Sequence, residues 1–196
     1  MTDNIIFVFF ILLTFIVIYS LNKERINNEV IYVQSNFDNR KYLVRNVKDK
    51  QEGCELLAKI RAKLEKICGI LNEKYGNEDR IKRLMKKFNP NKISETGISN
   101  KYTSYSINKG EKIVLCLRAK DENQTLIDEN TITFVALHEL AHIMTKSVGH
   151  KPEFWDNFKF ILKEAVDNEI YIPEDYKKNP KPYCGIMVTD NPLLNY

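Results

Sequence analysis

The chain has 196 residues, of which 29 % are charged and 11 % aromatic, and its formal net charge is +4. This is the composition of a globular protein with a core, and it excludes a disordered chain. The mild positive charge permits contact with nucleic acid but does not require it, so a nucleic-acid partner is possible and not favoured. The oligomeric state is left open.

The chain opens with an uncharged apolar run, Ile5 to Leu21. As a helix it would extend roughly 25 Å, which suits a thin bilayer. A cleaved signal peptide is the alternative, but Asp3 stands where basic residues are typical. We therefore expect an N-terminal transmembrane helix over residues 1–21 and a single-pass membrane protein. Lys23 and Arg25 follow the run, so the positive-inside rule predicts that the body is cytoplasmic.

The elements after the anchor change from strands to helices. Residues 22–50 begin with a polar stalk. Two short segments follow it, 29–35 and 41–47, and their β-branched and aromatic residues predict a hairpin or two strands. From Glu52 apolar residues recur at helical spacing up to Gly76. A second helix with a basic face ends at Asn89-Pro90. The basic residues on that face are either exposed to solvent or bind nucleic acid or anionic lipid.

The second half predicts a hairpin followed by two helices. Residues 102–107 and 111–118 form the hairpin around Asn108-Lys109-Gly110, and the second arm is apolar enough to be buried on both faces. One helix begins near Thr131 and ends at Gly149. Pro152 opens the next helix, and the tail from Tyr171 is expected to be irregular.

The four cysteines show no CxxC pair. On the predicted long helix, Cys54 and Cys68 are about 21 Å apart, too far to bridge. We therefore expect reduced thiols in a cytosolic compartment rather than a disulfide framework or a zinc ribbon. The two other cysteines are Cys116 and Cys184.

All three histidines lie in one segment, FVALHELAHIMTKSVGHKPEFW, residues 134–155. His138 and His142 are four residues apart, so on a helix both imidazoles point to the same side and can act as cis ligands of a tetrahedral Zn2+. Glu139 is turned about 100° from His138, which lets its carboxylate reach a water without being a ligand. The segment predicts a zinc site with a general base.

A third protein ligand is then required, and His150 is the best candidate. It follows Gly149, where the chain can fold back toward the helix. Glu164 or Asp156 on the next helix is the alternative. Apolar residues surround the motif nearly all round, and buried imidazoles beside a buried carboxylate are costly unless something binds them.

A different use of HExxH is found in peptide deformylases, which add a cysteine from an EGC motif. The chain contains Glu52-Gly53-Cys54. However, Cys54 begins a long helix far from the histidines in sequence, and the glycine-rich loop of that family is missing. We reject this possibility.

The segment His138-Glu139-Leu140-Ala141-His142, with Gly149-His150 and Phe154-Trp155, resembles the zincin metallopeptidases, and among them the WLM and SprT-like group. The resemblance implies a compact α+β domain, here residues 51–196, with a small mixed sheet, an active-site helix and backing helices. It also implies an edge strand before that helix which binds the substrate main chain. Residues 112–119 occupy nearly that place, although their apolar character fits the strand behind the edge. Cleavage of DNA-crosslinked proteins, known in this group, is not carried over.

Three residues of the tail are further candidates by the same resemblance. Met187 stands where metzincin-like relatives place a methionine turn beneath the metal. Tyr183 could donate to an oxyanion, and Cys184 could approach the zinc as a blocking thiolate. For each, packing of the tail against the core is the alternative.

The sequence thus predicts a membrane-anchored zinc metallopeptidase acting on protein or peptide substrates. One Zn2+ on His138, His142 and His150 activates a water, and Glu139 accepts its proton. The alternative is a non-catalytic, zinc-stabilised interaction domain tethered to the membrane.

Overall fold

The computed structural model describes residues 2–98, 103–121 and 123–194, and of residues 2–6 and 21–28 only the backbone. The described chain is a mixed α+β structure, as predicted. Its helices are α1 (Thr2–Glu29), α2 (Lys50–Tyr75), α3 (Asp79–Lys87), α4 (Glu129–Met144) and α5 (Pro152–Asp167). Its strands are β1 (Val30–Gln34), β2 (Lys41–Arg45), β3 (Ile93–Glu95), β4 (Tyr105–Ile107), β5 (Lys112–Leu115), β6 (Lys181–Tyr183) and β7 (Ile186–Val188).

The main sheet has the strand order β1-β2-β3-β5-β4. β1 and β4 pair antiparallel with their neighbours, whereas β2, β3 and β5 are parallel. The parallel step from β2 to β3 is possible because α2 and α3 supply the long connection that it needs. β4 is an edge strand and the apolar β5 lies behind it, which confirms the expectation for residues 112–119.

The core lies between the sheet and helices α2, α4 and α5. The apolar stripe of α2 is buried against it, from Leu57 through Leu71. α4 is buried on nearly all sides and packs against α2, α3 and α5. Because α4 carries the histidine motif, its burial fixes the motif within the core rather than on a loop.

A buried ion-pair network joins the sheet to the start of α2. Arg118 donates from Nε to Glu95 at 3.0 Å and from Nη1 to Asp49 at 2.6 Å, and Glu95 also accepts from the backbone N–H of Arg45 at 2.7 Å. A Cβ on Gly53 would lie 3.1 Å from the Arg118 guanidinium. The network therefore accounts for the glycine of Glu52-Gly53-Cys54 without any role at a metal.

Two cations of α3 have packing roles. Arg83 donates to the carbonyl oxygen of Met144, and the Arg80 guanidinium lies 3.6 Å from the centre of the Phe160 ring. Arg80 also pairs with Glu78. The basic face of this helix is thus used in part to hold α4 and α5.

The predicted membrane anchor is wrong. Residues 2–29 form α1, so the expected stalk continues the same helix. No helix in the described part of the chain is long and apolar enough to span a bilayer. The apolar run is 17 residues, about 25 Å of helix against a hydrocarbon core of about 30 Å. The flanking charges that suggested a cytoplasmic body (Asp3, Lys23 and Arg25) lie where only the backbone is described.

The expectation of reduced cysteines is also wrong for one pair. Cys116 and Cys184 form a disulfide, while Cys54 and Cys68 are free and buried. The two cysteines are 68 residues apart in sequence. Their sulfur atoms come together because the tail folds back over the end of β5. The tail is not wholly irregular: β6 and β7 form a hairpin around Cys184-Gly185, both at positive φ.

The disulfide should contribute to stability because it closes a long loop in the unfolded chain. We expect a C116S/C184S double variant to lose about 2–4 kcal/mol of unfolding free energy, measured by urea denaturation. Adding a reductant should destabilise the wild type to the same extent and leave the double variant unchanged. A wild-type midpoint that does not respond to reductant would contradict this prediction.

Candidate metal centre and cleft

His138 and His142 are positioned by the register of α4. The helix begins at Glu129 and is capped by Asp128, whose carboxylate accepts from the backbone N–H of Thr131 at 2.9 Å. The two imidazoles stand one turn apart on the same face, with their Nε2 atoms 3.1 Å apart. The predicted pairing of these side chains is what the structure shows.

α4 ends earlier than predicted, at Met144 rather than Gly149. The Thr145 side chain donates to the Ala141 carbonyl at 2.7 Å, and the Asn157 amide donates to Thr145 at 3.0 Å. The Lys109 ammonium donates to the carbonyl oxygens of residues 145, 146 and 147. A cation at this end also complements the helix dipole. These contacts stop the helix and turn the chain back.

His150 reaches the other two histidines through this turn. Glu153 accepts from the backbone N–H groups of Lys146 and Ser147 at 3.0 and 3.2 Å, and Gly149 adopts φ +80°. The His150 Nε2 then lies 3.1 Å from that of His138 and 3.2 Å from that of His142. The three nitrogens form a nearly equilateral triangle.

The triangle fits a metal ion. Three nitrogens on a tetrahedral zinc, each bonded at 2.0–2.1 Å, are about 3.3–3.4 Å apart, close to the separations in this chain. Burial lowers the pKa of His138 to about 3 and that of His142 to about 4, with neighbouring histidines as the next cause. Both are therefore neutral imidazoles, which is the form that binds metals.

Phe154 packs against all three imidazoles. Its ring centre lies 4.3 Å from that of His142, 4.6 Å from His150 and 4.8 Å from His138, and the residue is fully buried. The neighbouring Trp155 donates its indole N–H to the His150 carbonyl at 3.0 Å. The aromatic pair at the start of α5 thus orients the third histidine.

The alternative third ligands are engaged elsewhere or lie outside this group. Glu164 accepts from Lys74 at 3.0 Å and from the Tyr75 hydroxyl at 2.7 Å, on the side facing α2. Asp156 is not part of the cluster, whose ligand atoms all lie within 4.8 Å of one another. In the described chain, His150 is therefore the residue that the fold brings to His138 and His142.

Glu139 lies beside the histidines and points into the same cleft. It is nearly fully buried, and this burial raises the pKa of its carboxyl group to about 7. A hydrogen bond from the backbone N–H of Ser106 has the opposite effect and lowers this pKa. The cleft has a volume of about 610 Å3. Residues of edge strand β4, of β7 and of the turn before His150 line it. A buried carboxylate with a pKa near 7 is suited to proton transfer.

Residues 37–191 match the WLM domain family. The chain belongs to this family. Uncharacterized protein R325 of Acanthamoeba polyphaga mimivirus is 33 % identical over 181 residues, 90 % of each chain. Uncharacterized protein 136R of Invertebrate iridescent virus 6 is 33 % identical over 97 residues, 49 % of this chain and 53 % of that protein.

Uncharacterized protein 042R of Invertebrate iridescent virus 3 is 37 % identical over 84 residues, 42 % of this chain and 50 % of that protein. No solved structure matches. The family match begins after β1 and ends after β7, so this WLM domain includes both the histidine cluster and the tail hairpin.

The tail hairpin of the WLM domain contributes unequally to the cleft. Tyr183 and Met187 line the cleft, whereas Cys184 does not. Cys184 is bonded to Cys116 and offers no thiolate, so its predicted blocking role is wrong. Met187 lies half-exposed on the cleft wall, while the side chain packed on all three imidazoles is Phe154.

No local sequence pattern indicates two further contributors to this WLM cleft. Ser104 precedes β4, and its hydroxyl is hydrogen-bonded to the Tyr183 hydroxyl and accepts from the Cys116 backbone N–H at 2.9 Å. Lys109 lies in the predicted hairpin turn, which indicates its conformation (φ +53°) but not its contact with the end of α4. Both contacts join segments distant in sequence, which local patterns do not reveal.

Phe154 should be the main packing support of the cluster. We expect Phe154→Ala to lower the free energy of unfolding by about 3–5 kcal/mol, because it leaves a cavity under three imidazoles. Phe37→Ala, at an exposed position, should cost about 0.5 kcal/mol or less. Chemical denaturation measures both, and equal losses would contradict the packing role.

Proposed function

We propose that the chain is a zinc-dependent metallopeptidase. The observation that carries the proposal is the triangle of Nε2 atoms of His138, His142 and His150, which opens on the same cleft as the buried carboxylate of Glu139. Membership of the WLM family supports it, since this is a metalloprotease-like group. No membrane anchor is part of the proposal.

The donor set favours zinc at an open site. Imidazole nitrogen is a preferred ligand of zinc, and three protein ligands with one free position are typical of catalytic rather than structural sites. A zinc ion held there would supply a Lewis acid that polarises the scissile carbonyl and makes water acidic near neutral pH. A non-catalytic zinc site usually closes with a fourth protein ligand, and it has no use for Glu139.

The chain's own groups supply the proton transfers. The Glu139 carboxylate accepts the proton of the attacking water and then delivers it to the nitrogen of the leaving amine. The backbone N–H of Ser106 lowers the pKa of this carboxylate, against the effect of burial. Burial raises the pKa of Tyr183 far above neutral, so its phenol stays protonated and can donate to the developing oxyanion. Protein or peptide chains are the proposed substrates.

Glu139→Gln tests the proposal most simply. The substitution preserves the shape of the side chain but removes the base, so kcat/KM on a quenched-fluorescent peptide library should fall about 10^2–10^4-fold. Zinc content, measured by atomic emission, should stay at one ion per chain because Glu139 is not a ligand.

Glu73→Gln on the exposed face of α2 is the matched control, and it should leave both quantities at the wild-type value. If Glu139→Gln cleaved peptides as fast as the wild type, the proposed mechanism would be wrong. Loss of zinc together with activity would instead assign Glu139 to the ligand set.

A further inference from the structure

Part of the cleft wall exposes apolar side chains to solvent. Val148 is 79 % exposed, Ile186 53 %, Met187 51 % and Trp155 42 %, and all four line the cleft that contains the histidines. We call these four residues the apolar rim. Exposed apolar side chains that are grouped at one site mark a binding surface, whereas scattered ones need no explanation.

The apolar rim is held in place rather than carried on loose loops. The Trp155 ring is oriented by its hydrogen bond to the His150 carbonyl. Val148 belongs to the turn whose backbone is bound by Glu153 and Lys109. The hairpin that carries Met187 is tied to the end of β5 by the disulfide, and to the segment before β4 by the Tyr183–Ser104 hydrogen bond. A fixed apolar surface loses little entropy when a ligand covers it.

The charges that line the cleft already have partners. Apart from the histidines, the charged residues among the described lining are Lys109, Glu139 and Asp190. Lys109 binds three carbonyl oxygens, the Asp190 carboxylate lies 3.7 Å from the Lys177 ammonium, and Glu139 accepts from Ser106. Although the chain carries a net charge of +4, the cleft does not present a row of cations for a phosphate backbone.

We propose that the cleft selects polypeptide segments with a large apolar side chain within two residues of the scissile bond, and that Val148 and Met187 determine this preference. The inference rests on the proposed peptidase function and adds the substrate class to it. Met187 suits this role because its unbranched thioether adapts to apolar partners of different shape. Such segments are exposed in unfolded proteins and buried in folded ones.

The binding test does not depend on cleavage. Trp155 is the only tryptophan in the sequence and belongs to the rim, so its fluorescence reports occupancy of the cleft. We would titrate zinc-loaded Glu139→Gln protein with extended peptides that differ only in carrying Leu, Phe, Lys or Glu beside the central bond. The apolar peptides should bind at least about 10-fold more tightly, the scale of discrimination in an apolar pocket.

Two rim variants and one matched control assign the preference to residues. Met187→Lys and Val148→Lys, each combined with Glu139→Gln, should weaken binding of the Leu and Phe peptides about 10-fold and favour the Glu peptide. Tyr32→Lys places the same charge at a 71 % exposed position on β1, the opposite edge of the sheet from β4. It should leave the order of affinities unchanged.

Equal affinity for all four peptides, or tighter binding of a short single-stranded DNA than of the Leu peptide, would overturn the inference. The parallel cleavage assay separates the two proposals. Apolar-selective binding without cleavage by the zinc-loaded wild type would contradict the peptidase function alone. Cleavage without regard to the apolar residue would contradict the substrate preference alone.

Discussion

The end of α4 at Met144 determines whether the three histidines can meet. If the helix continued to Gly149, the chain would be carried away from the face that His138 and His142 share, and His150 would follow it. Arg83 binds the carbonyl oxygen of Met144, and Lys109 binds those of the three residues that follow it. The Thr145 hydroxyl donates back to the Ala141 carbonyl oxygen. The turn between β4 and β5 supplies Lys109 and α3 supplies Arg83, so the shape of the site depends on segments that contain none of the three histidines.

The converging imidazoles are costly for the fold unless something compensates for their burial. Burial keeps His138 and His142 neutral, and their Nε2 atoms face each other and that of His150 at about hydrogen-bond distance. Phe154 gives the rings a packed surface on one side, and the cleft leaves the other side open. A bound cation would use all three lone pairs at once, which is why the arrangement is understandable as a ligand set and not as core packing.

Much of the site could be predicted from the sequence because its signals are local. The spacing of His138 and His142, the glycine before His150 and the proline that opens α5 each act within one helical turn or one tight turn. The apolar character of residues 112–119 indicated a strand behind the edge, and β5 does lie behind the edge strand β4. The family resemblance rested on the same segment, and the match to residues 37–191 confirms the WLM family.

The features that sequence reasoning missed depend on contacts between distant segments. β3 is short and contains Glu95, whose burial is possible only because Arg118 and Arg45 reach it. The disulfide joins cysteines 68 residues apart, a pairing that spacing alone does not reveal. The apolar run at the N-terminus predicted a membrane span, but no helix in the described part of the chain is long and apolar enough to be one.

Zinc K-edge X-ray absorption on the purified full-length protein tests the central claim most directly. Three histidine nitrogens and one light atom from solvent, all at about 2.0–2.1 Å, are the predicted first shell. The same spectrum should lose one imidazole ligand in His150→Ala protein and stay unchanged in Glu164→Gln protein. A sulfur shell at about 2.3 Å, or an unaltered spectrum in His150→Ala, would contradict the assignment of the three histidines as the ligand set.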